Sequence, residues 1–337
     1  MSISRQLLTE KELALRTRLE SSFPGLLRRV PVDVYVSNLE TQDPYYQYEA
    51  FPPSILRQLA RIRSRYGQEA VAQYHKTGLC RLMTRGLDRL DGRHLPDSIK
   101  DTYVSWFDRI VEDFDKQPDS YYDVDRPLWP LRKDIGVCGG RAIPVGGAWV
   151  VETRLIPRLS MIKQADKRNA GSAGLPRNLD ALTEALSATL RKFRLDEVVR
   201  SIRRLGLRLR RPLEKCYVIH TIERNIRDLG PHQMELAYRN IASLLQRNED
   251  VWGVHRASWF LDPAVSEISR DIGFLREVPV SNGAELYYGG ICSADDTQKA
   301  TMFSPVRTRL YQEGKYRPAS YFYFWPRASV IEAFGSG

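Results

Sequence analysis

The sequence of 337 residues predicts an α+β protein, with a mainly helical region over residues 1–125 and a mixed-sheet α/β domain over residues 126–334. Two observations carry this expectation. Apolar residues recur at helical spacing through the first 117 positions, most clearly as Ile99, Tyr103, Trp106, Phe107, Ile110, Val111 and Phe114. From Cys216 onward, short apolar runs alternate with a helical one: a strand over 216–221, a helix from Pro231 to about Arg247, and a strand over 251–260.

Taken in order, Thr9-Glu10-Lys11-Glu12 has the form of a capping box, and Leu13, Leu15 and Leu19 follow at helix-like spacing. Pro31 to Val36 alternates and is expected to be a short strand. Pro53 opens a helix carrying Ile55, Leu56, Leu59 and Ile62. Gly67 separates it from one holding Ala70, Val71 and Tyr74. Leu79, Leu82, Met83, Leu87 and Leu90 mark another, stopped by Gly92, and Pro96 begins the aromatic-striped helix. Asp134 to Cys138 and Ala148 to Thr153 are expected to be strands. Gly139-Gly140 and Gly146-Gly147 break them into an antiparallel hairpin or meander. Lys163 to Arg177, polar and containing Gly171-Ser172-Ala173-Gly174, is the candidate lid. Asn178 and Asp196 are expected to cap two further helices, the second ending at Gly206.

The formal net charge is +10, carried mostly by arginine, which favours anionic partners such as phosphates, carboxylates, nucleic acid or an acidic carrier protein. Four scattered cysteines, Cys80, Cys138, Cys216 and Cys292, form no CxxC pair. Neither a disulfide framework nor a zinc site is expected. Three of them lie in apolar surroundings, as buried thiols of a reducing compartment do. There is no run of apolar residues long enough for a membrane span. The start of the chain lacks the apolar core of a secretory signal, so a cytoplasmic protein is expected. Gly335-Ser336-Gly337 is a candidate expression scar and is not expected to belong to the fold. The acidic groups Asp123-Val124-Asp125 and Glu112-Asp113-Phe114-Asp115 lack convergent partners, and no metal is expected. GxSxG, HExxH and GxxxxGK[ST] are absent, which argues against the standard serine-hydrolase, zincin and P-loop chemistries.

Strand, helix and strand of these lengths imply a parallel crossover. Alternation places Val251, Gly253, His255, Ala257 and Trp259 on one face of the second strand, and Trp252, Val254, Arg256, Ser258 and Phe260 on the other. Asp262-Pro263 supplies the N-cap and first position of a following helix. In parallel units ligands collect beyond the carboxyl ends of the strands, here His220, Thr221, Glu223 and Arg224. The helix starting at Gly230-Pro231 presents free amides to an anion, and Arg224 and Arg227 add charge. Parallel neighbours can bring His220 and His255 together.

The order of strand, Arg-x-x-Gly loop, helix and strand over residues 215–290 resembles the cofactor-binding core of the GNAT superfamily of N-acyltransferases. Arg227 and Gly230 fall at the first and fourth positions of its loop pattern, with His232 at the sixth. The run Ala257-Ser258-Trp259-Phe260-Leu261-Asp262-Pro263 is similar to the Ser-Trp-Leu-Leu-Asp-Pro run of some GNAT-like proteins. The resemblance implies a GNAT-like mixed sheet. It also implies transfer of an acyl group from an acyl-CoA or a phosphopantetheine thioester, on an acyl carrier protein, to a small-molecule amine. Arg224, Arg227, Gly230 and His232 would then hold the donor. His255, His220 and Glu223 are the candidate bases, and Tyr287 or Tyr288 the candidate acid.

Other features remain outside that reading. Arg200, Arg203, Arg204, Arg208, Arg210 and Arg211, extended by Arg191, Lys192 and Arg194, would suit nucleic-acid phosphates or an acidic protein. The contrasting expectation is therefore a non-catalytic binding protein using that surface, although no nucleic-acid-binding signature accompanies it. Ser304 and Gly314 are expected to bound a basic helix. Tyr321-Phe322-Tyr323-Phe324-Trp325 is expected to be a strand, with Arg307, Arg309 and Tyr311 facing the cleft of the central unit.

Overall fold

The computed structural model describes residues 5–40, 53–91, 93, 95–122, 131–155, 214–221, 230–302 and 304–335. Among them are twelve α-helices and six strands, a mixed α/β protein with a helical N-terminal region. The strands are ordered β1-β2-β3-β4-β6-β5 in one sheet. They comprise β1 (Ala142–Pro144), β2 (Ala148–Leu155), β3 (Glu214–Thr221), β4 (Val251–Ser258), β5 (Glu285–Ile291) and β6 (Ala319–Pro326). β3 and β4 run parallel; the β1–β2, β4–β6 and β5–β6 pairs are antiparallel. The chain divides into two compact units, one of 1–151, 219–247 and 334–337, the other of 152–218 and 248–333. No helix among the described residues is long and apolar enough to cross a membrane.

The first unit is built on a long helix. Helices α1 (Arg5–Ser22), α2 (Leu26–Arg29) and α3 (Val32–Glu40) precede α4 (Pro53–Asp91), which is followed by α5 (Asp97–Lys116) and α6 (Leu131–Cys138). Gly67 breaks α4 with φ 85° and ψ 179°, a conformation glycine adopts readily. Beyond that kink the helix is continuous, so Ala70–Tyr74 and Leu79–Leu90 belong to one element and not two. Residues 70–80 are buried on every side. Gly78 sits under the Tyr35 ring, where a Cβ would come within 2.8 Å of it.

Two expected strands are helices. Pro31–Val36 falls in α3: Val32, Tyr35, Val36 and Leu39 are buried, a 3.6-residue stripe, while Val34 is 54% exposed. A run of alternating valines fits both periods, and packing against α4 selects the helix. Asp134–Cys138 falls in α6, where the buried Asp134 accepts hydrogen bonds from the Trp106 indole N–H at 2.8 Å and the Arg109 guanidinium at 3.0 Å. The hairpin itself exists, formed one element later by β1 and β2 around Gly146. In this unit α7 (Pro231–Arg247) packs its apolar side inward, and its Asn240 donates to the Val145 carbonyl at 3.2 Å.

The second unit contains the outer strands and five short helices: α8 (Pro263–Ile268), α9 (Phe274–Ser281), α10 (Ala294–Met302), α11 (Pro305–Gln312) and α12 (Arg327–Phe334). Two caps are those the sequence predicts: the Asp262 carboxylate accepts from the Ala264 amide at 3.0 Å, and the Ser304 hydroxyl from the Arg307 amide at 3.3 Å. The expected cap at Thr9 is not one: the residue lies inside α1, where its hydroxyl donates to the Arg5 carbonyl at 2.9 Å. Cys80, Cys138 and Cys216 are buried, as expected, and burial pushes the Cys80 thiol up to about 12. The candidate lid over Lys163–Arg177, the helices capped by Asn178 and Asp196, and the arginine run 200–211 lie outside the described residues.

Candidate functional site

The site is organised by an irregularity in β4. The parallel register pairs Lys215 with Val251 and then Cys216 with Gly253, so Trp252 is an extra residue, a β-bulge. Strict alternation would separate Trp252 from the His255 face. The bulge instead brings its ring to 4.4 Å from that of Phe324, the residue opposite His255. Gly253 makes this packing feasible. A Cβ there would stand 2.4 Å from the Trp325 carbonyl oxygen and 2.7 Å from the Phe324 ring.

After the bulge the β3–β4 ladder is short. It runs through Tyr217↔Val254 and ends at Val218↔His255. Arg256, Ala257 and Ser258 pair only with β6, through Tyr323, Phe322 and Tyr321. In this unit the last three residues of β4 therefore have one edge outside any ladder among the described residues. Backbone groups on such an edge are suited to an extended ligand chain.

One face of the outer strands carries the candidate chemistry. His255 lies opposite Phe324, which lies opposite Glu285; Ala257 lies opposite Phe322, which lies opposite Tyr287. The His255 and Phe322 rings are 5.6 Å apart, and Tyr287 stacks on Phe322 at 5.3 Å. With β6 between them and an offset of two residues along it, the His255 and Tyr287 Cα atoms are about 12 Å apart at ordinary strand spacing and rise. They flank Phe322 and do not touch.

His255 is half-buried, and desolvation lowers its pKa to about 4, so the imidazole is neutral at physiological pH. Its Nδ1 is buried with no hydrogen-bond partner among the described residues. The Tyr287 hydroxyl donates to the Glu285 carboxylate. Burial, reinforced by that bond, raises the phenol pKa well above its usual value, so Tyr287 stays protonated. Tyr288 lies on the other side of β5, opposite Tyr321, and does not share this face.

The remaining predicted residues are placed as follows. His220, in the first unit, stacks on Trp149 at 4.2 Å with the rings 15° from parallel. The register pairs His255 with Val218, not His220. Gly230 is the residue before α7: its carbonyl accepts from the Met234 amide at 3.2 Å, and a Cβ there would meet open space. His232 is exposed in the first turn of α7. Glu223, Arg224 and Arg227 lie outside the described residues. Arg307 is buried and committed inward, to the Ala300 carbonyl at 2.6 Å, the Ser269 hydroxyl at 2.6 Å and the Trp259 ring. Arg309 is exposed and reaches Glu313 at 3.9 Å.

Three participants escaped sequence reasoning: Trp252, Phe322 and Glu285. The bulge that recruits Trp252 arises from pairing with β3 and has no local signature beyond the glycine after it. Phe322 was legible as strand core but not as the ring between two polar groups. No group of three or more potential metal ligands occurs among the described residues.

No known family, curated protein or solved structure matches the chain.

Proposed function

We propose that the protein is an N-acyltransferase that takes an acyl group from a coenzyme A or carrier-bound phosphopantetheine thioester to a small amine. The observation that carries this reading is the end of the parallel ladder at Val218↔His255, with one edge of Arg256–Ser258 outside any ladder among the described residues, beside a neutral histidine. A pantetheine arm is an extended chain with amide groups and can pair with such an edge as an added strand does. Its thioester would then lie near His255.

The reaction follows from the protonation states. The amine lone pair attacks the thioester carbon, the C–N bond forms, and the C–S bond breaks as the tetrahedral intermediate collapses. Neutral His255 accepts the proton the amine must lose. The resulting imidazolium, disfavoured by its desolvated surroundings, passes a proton to the departing thiolate. Tyr287 keeps its proton, already hydrogen-bonded to the Glu285 carboxylate across Phe322 from His255, and would take no part in the proton transfer. Phe322 and Trp252 would wall the site from water.

Thermal unfolding in the presence of coenzyme A and of acetyl-CoA tests the reading. Either ligand at about 100 times its Kd should add about 2.7 kcal/mol of stability. No shift with either at millimolar concentration sinks it, and salt-sensitive RNA binding without a thioester response would support the binding-protein alternative.

A further inference from the structure

β4 directs a second ionisable side chain to the face of the sheet opposite His255. Arg256 is 1% exposed. Its guanidinium lies 4.5 Å from the centroid of the Phe260 ring, and neither terminal nitrogen has a hydrogen-bond partner among the described residues. Withdrawing a guanidinium from water without a counter-ion is costly.

The cross-strand register defines its surroundings. Tyr323 is directly opposite, with Val254↔Trp325 on one side and Ser258↔Tyr321 on the other; on β5, Leu286 opposes Tyr323 and Tyr288 opposes Tyr321. All seven of these neighbours are uncharged. The nearby acid in sequence, Asp262, is already used: its two carboxylate oxygens accept from the Ala264 amide at 3.0 Å and the Ala319 amide at 3.3 Å.

We propose that Arg256 anchors a second ligand site, which takes the carboxylate of a small organic acid with an apolar or aromatic body. Three features select that class. One buried positive charge among neutral neighbours is balanced by one negative charge, which a carboxylate supplies and a phosphate dianion exceeds. The guanidinium fork matches a planar carboxylate in two parallel hydrogen bonds. Phe260 and Leu286 provide apolar surface, while the Ser258 hydroxyl lies on the same face. The site rests on this sheet face alone and stands or falls independently of acyl transfer.

The test is thermal unfolding of the full chain in carboxylate-free buffer, titrated with benzoate, with its neutral isostere benzamide, and with inorganic phosphate. Benzoate should raise the Tm of the wild type with saturating dose dependence; benzamide and phosphate should not. Arg256→Met keeps most of the buried stem and removes the charge. It should abolish the benzoate response and melt at or above the wild-type temperature in the absence of ligand, because an uncompensated buried charge has been removed. Arg256→Lys keeps the charge without the fork and should need several-fold more benzoate for the same shift. A wild type indifferent to benzoate overturns the proposal. So does an Arg256→Met protein that melts below the wild type without ligand, since the guanidinium would then already be paired within the chain. A phosphate response equal to that of benzoate overturns the assignment to a carboxylate.

Discussion

Each unit holds a histidine that burial keeps neutral, and the two are placed for different ends. His75 lies in the all-buried stretch of α4 with no exposed surface, and desolvation lowers its pKa to about 3. Its Nδ1 is hydrogen-bonded to the Tyr35 hydroxyl, and its ring packs edge-on against Tyr35 and tilted against Tyr122. Beside it the buried Lys76 ammonium donates to the Phe114 carbonyl at 2.7 Å and lies 4.7 Å from the Tyr122 ring centre. Every polar group named there is tied to another part of the unit. His255 is equally neutral, but it is half-buried and stands beside a backbone edge that joins no ladder among the described residues. A depressed pKa thus reports burial. Chemistry needs in addition an approach route.

The largest effects should come from exchanging the roles of the two histidines. His255→Ala should lower acyl-transfer turnover roughly 100- to 10,000-fold, the usual worth of a general base, with little loss of stability. His75→Ala should leave the kinetic constants of the folded protein unchanged and cost roughly 2–5 kcal/mol, from the cavity and the stranded Tyr35 hydroxyl. Urea melts and steady-state rates on both variants decide this. Equal stability losses with no loss of turnover in His255→Ala would end the distinction.

Acid stability gives the next largest effect. Both folded pKa values, about 3 for His75 and about 4 for His255, lie below the ordinary value of 6.5. Between those values and 6.5 the unfolded chain binds the extra protons. The stabilisation is therefore complete above about pH 6.5 and is lost as pH falls, by about 1.4 kcal/mol per pH unit for each histidine. Unfolding free energies at pH 7.5, 6 and 5 should show this slope in the wild type, and a shallower one in His75→Leu. A pH-independent wild type would mean that neither imidazole is desolvated. The smallest effect belongs to Tyr35→Phe, which removes the hydroxyl partner of His75 and should cost about 1–3 kcal/mol with no change in turnover; differential scanning calorimetry would resolve it.

Legibility in the sequence followed the range of the interactions. The stripe Ile99–Phe114, the helix Pro231–Arg247 and the Asp262-Pro263 and Ser304 caps are each governed by residues within a turn or two, and all appear where their spacing places them. Val32–Val36 and Asp134–Cys138 were misread because their apolar residues satisfy either period over so short a span. Burial against α4 and α5 then made both helical. At the site, the strand residues His255 and Tyr287 could be named from the sequence, but not that Phe322 lies between them or that Tyr288 faces away.

The sequence by itself determined where the helices Asp97–Lys116 and Pro231–Arg247, the parallel strand pair and the Asp262 and Ser304 caps lie, because local period and hydrogen-bonding at helix ends depend on near neighbours. It also supplied the histidine, the tyrosine and the glycine that the site uses. Tertiary structure alone decided that β4 bulges at Trp252, that its pairing with β3 stops at His255, and that Arg256 is enclosed without a partner among the described residues. Those outcomes depend on which distant strand supplies the hydrogen bonds, and strand register is a property of the pair and not of either segment.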